Sequence, residues 1–77
     1  MPAGTVRFFN VERGFGFITP NDGGDDIFVH ISAIERSGLA TVNVGDFLEF
    51  DVERDRRTDK FVATNLDLIE AAGPEGG

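Results

Sequence analysis

Two short stretches concentrate the residues able to do chemistry: Arg13-Gly14-Phe15-Gly16-Phe17-Ile18 and Ile27-Phe28-Val29-His30-Ile31. Neither offers a reacting group of the usual kind. The chain has no cysteine and a single histidine, His30, which excludes a thiol nucleophile, a thiolate metal site and a His-based metal cluster. A histidine acting as general base would need a carboxylate partner in a pocket. What the two stretches do offer is flat apolar rings beside basic side chains. Such rings stack on nucleobases of any identity, and a guanidinium plane either stacks in the same way or pairs with phosphate.

Strand alternation decides where those rings point. With Ile18, Ile27 and Val29 turned inward, a period of two sends Phe15, Phe17, Phe28 and His30 together to the opposite face. Burying the rings instead would expose the three aliphatic residues, an unfavourable exchange. Gly14 and Gly16 weaken a strand and point to a close approach to the backbone, leaving the rings accessible. A preceding segment adds Arg7, Phe8, Phe9 and Asn10 beside the same face, with Arg7 and Arg13 the basic residues best interleaved with the rings.

The elements that must position these residues read as short strands separated by turns. Strands are expected at Thr5 to Asn10, Phe15 to Thr19, Ile27 to Ile31, Phe47 to Glu53 and Phe61 to Leu68. Pro20-Asn21-Asp22-Gly23-Gly24 is strong turn chemistry, and Ser32-Ala33-Ile34-Glu35 has capping-box spacing for a single helical turn before Gly38. Leu48, Phe50 and Val52 alternate with Glu49, Asp51 and Glu53, as a half-buried antiparallel strand requires. In the last strand Val62, Leu66 and Leu68 are the expected inward positions, while Phe61 fits either side. The fold class is therefore all-β: a five-stranded antiparallel barrel with one short helical turn after strand 3. Residues 1–70 form one domain, and 71–77 read as a disordered tail.

Composition supports the same picture. The 77 residues include eight Phe and no Trp or Tyr, too many rings for the interior of a barrel this small, so a clustered exposed set marks a binding surface. The formal net charge is −7, which argues against a partner held mainly through phosphate charge. The conflict eases because Glu49, Asp51, Glu53, Asp67 and Glu70 fall outside the first three strands. Asn21-Asp22-Gly23-Gly24-Asp25-Asp26 lacks the long ligand register and terminal Glu of a calcium-binding EF-hand and reads as a turn. The mixed run from Glu53 to Lys60 reads as a solvated hairpin loop, from which Arg56 and Arg57 can reach the backbone of a bound strand. No charged and apolar leader precedes the domain and no run has membrane-spanning length, so the expected setting is cytoplasmic.

Arg13 to Phe17 matches the opening of the ribonucleoprotein-1 pattern, yet no helix precedes it, and the element order rejects an RNA-recognition-motif fold. The chain instead resembles the cold-shock domain family over residues 4 to about 69. Gly4-Thr5-Val6-Arg7-Phe8-Phe9-Asn10, Arg13-Gly14-Phe15-Gly16-Phe17-Ile18 and Asp26-Ile27-Phe28-Val29-His30-Ile31-Ser32-Ala33-Ile34 follow that family's motifs in order. The resemblance implies an oligonucleotide-binding (OB-fold) barrel whose first three strands are crossed by single-stranded RNA or DNA. Carried over position by position, it implies contacts from Arg7, Phe8, Arg13, Phe15, Phe17, Asp26, Phe28 and His30, with Phe9 and Asn10 beside them. Phe8 replaces the family's usual Trp, Ile31 a frequent Phe and Leu39 a loop aromatic, each a loss of stacking surface. The expected activity is that of a monomeric nucleic-acid chaperone or regulator of transcription and translation, without cofactor, metal, catalysis or membrane partner. The competing expectation is a protein-interaction module that uses the same exposed Phe cluster.

Overall fold

The computed structural model describes residues 2–72. Five strands, β1 (Ala3–Asn10), β2 (Phe15–Pro20), β3 (Ile27–His30), β4 (Phe47–Asp55) and β5 (Lys60–Glu70), close into a barrel in the order β1-β2-β3-β5-β4, with a helix α1 (Ile31–Arg36) after β3. All neighbouring pairs are antiparallel except β3 and β5, which run parallel at Phe28 and Val62. The expected five-stranded antiparallel barrel is present, and its one parallel pair has a topological reason. A ring of five strands cannot alternate direction at every step, so at least one pair must be parallel.

Of the positions that alternation assigned to the interior, Ile18, Val29, Leu48, Phe50 and Leu66 are buried, whereas Val62 lines the surface cleft and its neighbour Ala63 takes the inward place in β5. Val6, Ile18, Val29, Ile34, Val42, Leu48, Phe50, Ala63 and Leu66 form one buried cluster, and Phe9, Ile27, Ala33 and Leu39 pack partly against it. Val52 and Leu68, expected inward, are 38% and 40% exposed. Their strands are longer than alternation alone suggests, and both residues lie beyond the stretch that lines the core.

Two irregularities set the directions of side chains. Between Val6 and Phe8 the β1–β2 register shifts, so that β1 carries one extra residue, Arg7. This bulge turns Arg7 and Phe8 outward in succession and reverses the phase of everything after them. In β5 the register shifts between the partners of Glu49 and Asp51, where Asn65 adopts φ +51°. The shift places buried Ala63 and Leu66 three residues apart. The Leu66 N–H donates to Ser37 Oγ at 2.8 Å, while that hydroxyl donates to the Ala33 carbonyl. The end of α1 thus satisfies a backbone group at the distorted part of β5.

Two boundaries differ from expectation. The helix starts at Ile31 rather than after Ser32, and its N-cap is His30. Ser32 and Glu35 do not form the anticipated capping box, because the His30 ring already accepts the Ser32 N–H. The charged loop shrinks to residues 56–59, with Asp55 paired to Lys60. Asp59 at φ +60°, the Asp59 N–H to Asp55 carbonyl bond and an Arg54–Asp59 ion pair hold this turn. At the far end, Ala72 N–H donates to the buried Asp46 carboxylate. Tertiary contact therefore extends past position 71, and the remainder of the expected tail, 73–77, lies outside the described residues. No helix among the described residues is long and apolar enough to cross a membrane.

Candidate nucleic-acid interface

Register builds the site. The β2–β3 ladder pairs Phe15 with His30 and Phe17 with Phe28, and the following row is joined by a Thr19 Oγ1 to Asp26 Oδ1 hydrogen bond of 3.0 Å. Phe15, Phe17 and Thr19 share one face of β2, as Asp26, Phe28 and His30 share one face of β3, because positions two apart point the same way. The bulge in β1 then delivers Phe8 against Phe17. The result is three parallel rows that run from His30 at one end to Asp26 at the other.

Four rings form its centre. Phe8 lies 6.1 Å from Phe15 and 6.5 Å from Phe17, and Phe15 lies 6.1 Å from Phe17. Phe28 stacks on Phe15 at 5.7 Å and 22°, and meets Phe17 edge-on at 5.9 Å and 74°. These separations fall in the range where aromatic pairs stabilise one another, so the rings hold each other in place before any ligand arrives. Phe8 is 40% exposed and the other three are half-buried. None belongs to the core cluster.

The polar rim is differentiated. At one end the His30 ring is oriented by its own helix start: Nδ1 accepts the Ser32 backbone N–H at 3.1 Å and lies 2.9 Å from Ser32 Oγ, which leaves Nε2 as the unengaged ring nitrogen. At the other end Arg7 Nε donates to Asp26 Oδ2 at 2.5 Å. Arg7 is therefore already paired within the protein. Arg13 is exposed and forms no ion pair among the described residues.

Two sequence-derived contacts are reassigned by the geometry. Phe9, expected beside the outward face, packs against the core instead, because the bulge at Arg7 reverses the alternation. Asn10, the last residue of β1, holds the turn that follows: its Oδ1 accepts the Arg13 N–H and its carbonyl accepts the Gly14 N–H, closing the β1–β2 connection. The close approach foreseen at Gly16 is real, but the approaching group is β1. A Cβ there would lie 2.8 Å from Phe9 Cα, 2.6 Å from its ring and closer still to the Phe8 carbonyl oxygen. Gly14, at φ +77° against Ile31, serves the turn.

Arg57 is part of something sequence reasoning did not show. A cleft of about 620 Å³ opens beside Phe28 and His30, between α1 and the β4–β5 turn, with Arg36, Arg54 and Arg57 on its walls and Val62 and Thr64 among its lining residues. Three of the chain's seven cationic side chains therefore line this one cleft, alongside two carboxylates, Glu53 and Asp55. Arg36 is the residue missed. The available signal was a basic residue in the last turn of α1, but nothing in the sequence indicated which strands that turn faces. The exposed Phe61, 57% accessible, lines a separate hollow with Pro2, Pro20 and Val52.

A five-stranded closed barrel that carries clustered outward rings on three adjacent strands is an oligonucleotide-binding barrel. The chain belongs to the cold-shock family: the model described as the 'Cold-shock' DNA-binding domain matches residues 2–69. It is 48% identical over 66 residues to the probable cold shock protein y4cH of Sinorhizobium fredii, and 47% identical over 66 residues to the cold shock protein CspA of Rhizobium meliloti. Each match spans 86% of this chain and 96% of the relative. Over 73 residues, 95% of this chain, it is also 45% identical to cold shock domain-containing protein 4 of Arabidopsis thaliana, of which the match spans 33%. Family membership makes nucleic acid the ligand class of this chain.

Proposed function

We propose that the protein acts as a monomer that captures unpaired segments of RNA, and of DNA, by stacking successive bases on Phe8, Phe15, Phe17 and Phe28, with His30 at the end of the plate. Through this capture it serves as a nucleic-acid chaperone and regulator. The observation that carries the reading is the four-ring plate, which is outward, accessible and preassembled. Duplexed bases present edges and phosphates rather than faces, so only unpaired bases can use such a surface. A DNA step stacks with about 1.4 kcal/mol on average, while stacking on a ring is worth about 1–3 kcal/mol per base. Short or weak duplexes are therefore trapped as they open spontaneously, and long ones are not.

Charge plays a minor part. Arg7 and Arg54 are engaged by Asp26 and Asp59, and of the five remaining cationic residues three serve as the phosphate contacts in this reading: Arg13, and Arg36 and Arg57 in the cleft. With about 0.7 log units of affinity lost per log unit of salt for each phosphate contact on a single strand, three contacts give a slope of about −2. Affinity for a short single-stranded oligonucleotide, measured by fluorescence anisotropy from low to high salt, is expected to follow that slope and to exceed affinity for the matching duplex. A slope of about −5 or steeper, the mark of many phosphate contacts, or equal affinity for the duplex, would refute stacking as the main source of affinity. Failure to bind any single strand would direct the rings to a protein partner instead.

A further inference from the structure

The β4–β5 hairpin runs on past the end of the barrel core, and its inner face runs with it. Leu48, Phe50 and Val52 are spaced two apart on β4, and Phe61 and Ala63 two apart on β5, with Val52 paired to Ala63 and Arg54 to Phe61. All five therefore belong to the face that fills the barrel. Leu48, Phe50 and Ala63 are buried, whereas Val52 and Phe61 are exposed. The hairpin thus carries two large apolar side chains, oriented as core residues, beyond the point where the core ends.

These two side chains stand over a hollow of about 280 Å³ whose lining reaches the buried Phe50 and, on the β2–β3 connection, Pro20, Asp22 and Asp25. Mouths of β-barrels recur as binding places, but this one is smaller than the about 300–1,000 Å³ of small-molecule pockets. It has room for one large side chain, seated as an interface anchor is. Charge selects the class of occupant. Asp22 and Asp25 line the hollow and no cationic side chain does. Asp22 accepts only the Gly24 N–H, and Asp25 has no ion pair or hydrogen bond among the described residues. An acidic rim repels phosphate and attracts Lys and Arg, so this surface differs in kind from the ring plate, with which it shares Phe8, Phe15, Phe17 and Phe28 in no part. An exposed apolar patch rimmed by polar groups marks a protein contact.

We infer that this hollow is a docking site for a basic segment of another protein, which inserts one large apolar side chain against Val52 and Phe61 and sets its Lys or Arg side chains beside Asp22 and Asp25. Docking there leaves the four rings open. A strand and a protein partner are then held at the same time, on different faces of one small barrel.

The probe is a capped seven-residue peptide with one central tryptophan between two pairs of lysines and a glycine at each end. The protein has no Trp or Tyr, so the emission of the probe reports binding directly. The full chain is expected to shift that emission to the blue and to raise its anisotropy. Phe61→Ala, a change at an exposed side chain, is expected to weaken the probe about tenfold, the scale of losing part of an anchor pocket, with single-strand affinity and thermal melt as in the wild type. A probe with glutamates in place of the lysines is expected to bind at least about tenfold more weakly, through like-charge repulsion. Phe28→Ala is expected to leave probe affinity unchanged. Absence of binding, equal affinity for the two probes, or indifference to Phe61→Ala would overturn the inference. Loss of probe binding in Phe28→Ala would move the peptide to the ring plate and overturn it as well. Self-association of the free chain in sedimentation, abolished by Phe61→Ala, would seat a second copy in the hollow and overturn the assignment to a foreign segment.

Discussion

Replacing Phe28 with alanine is expected to weaken single-strand binding by about tenfold to a hundredfold, the equivalent of about 1–3 kcal/mol of base stacking, with the barrel still folded. Phe28 is the ring most integrated into the plate: it stacks on Phe15 and braces Phe17 edge-on. Its loss removes one stacking platform and frees two neighbours to tilt. Yet it is half-buried and stands outside the cluster that fills the barrel, and its backbone pairings to Phe17 and Val62 do not depend on the side chain. Anisotropy titration gives the affinity and a thermal melt gives the stability. Unchanged affinity would remove Phe28 from the interface, and a collapsed melt would make it a structural ring.

The largest effect on stability is expected at Gly16. Its substitution by alanine places a methyl against the Phe8 carbonyl oxygen and within 2.8 Å of Phe9 Cα. Both are backbone atoms of the paired strand, so relief requires β1 and β2 to separate where Phe9 and Gly16 pair. Overpacking costs about 1–3 kcal/mol when side chains can adjust, and here the obstructing atoms are main chain, so the cost lies at or above the top of that range. A domain of 77 residues has about 4–12 kcal/mol of stability in total. Gly16→Ala is therefore expected to lower the melting temperature by well over ten degrees and to lose binding through lost structure. An unshifted melt would show that β1 is not where the structure places it. Gly23, with nothing within 4 Å of an added Cβ, is the contrasting position, although its positive φ favours glycine.

These two residues also show what the sequence made legible. The outward ring cluster followed from one decision, that Ile18, Ile27 and Val29 point inward, and period-two geometry then fixed Phe15, Phe17, Phe28 and His30. That step succeeds because every strand residue points to one face or the other. It failed at Phe9 because a single inserted residue reverses the phase, and no residue type announces a bulge at Arg7. The reading at Gly16 identified a close approach but not its source, since a missing side chain accommodates a neighbouring strand as well as a ligand.

The helix start was misplaced for a related reason. Ser32 and Glu35 have capping spacing, but His30 stands two residues earlier, and its ring nitrogen reached the Ser32 N–H first. The cleft between α1 and the β4–β5 turn lay beyond sequence reasoning altogether. It depends on the parallel β3–β5 contact that closes the barrel, which brings Arg36 and Arg57 to one opening from opposite halves of the chain.

Whether bases stack on the four outward rings is decided by the proton NMR shifts of the phenylalanine side chains during titration with a short single-stranded oligonucleotide. Stacking predicts upfield ring-current shifts for Phe8, Phe15, Phe17 and Phe28, with the buried Phe50 and the exposed Phe61, which lines a separate hollow, unmoved. Shifts confined to Phe61 and its neighbours Val52 and Ile27, with the four rings silent, would contradict it.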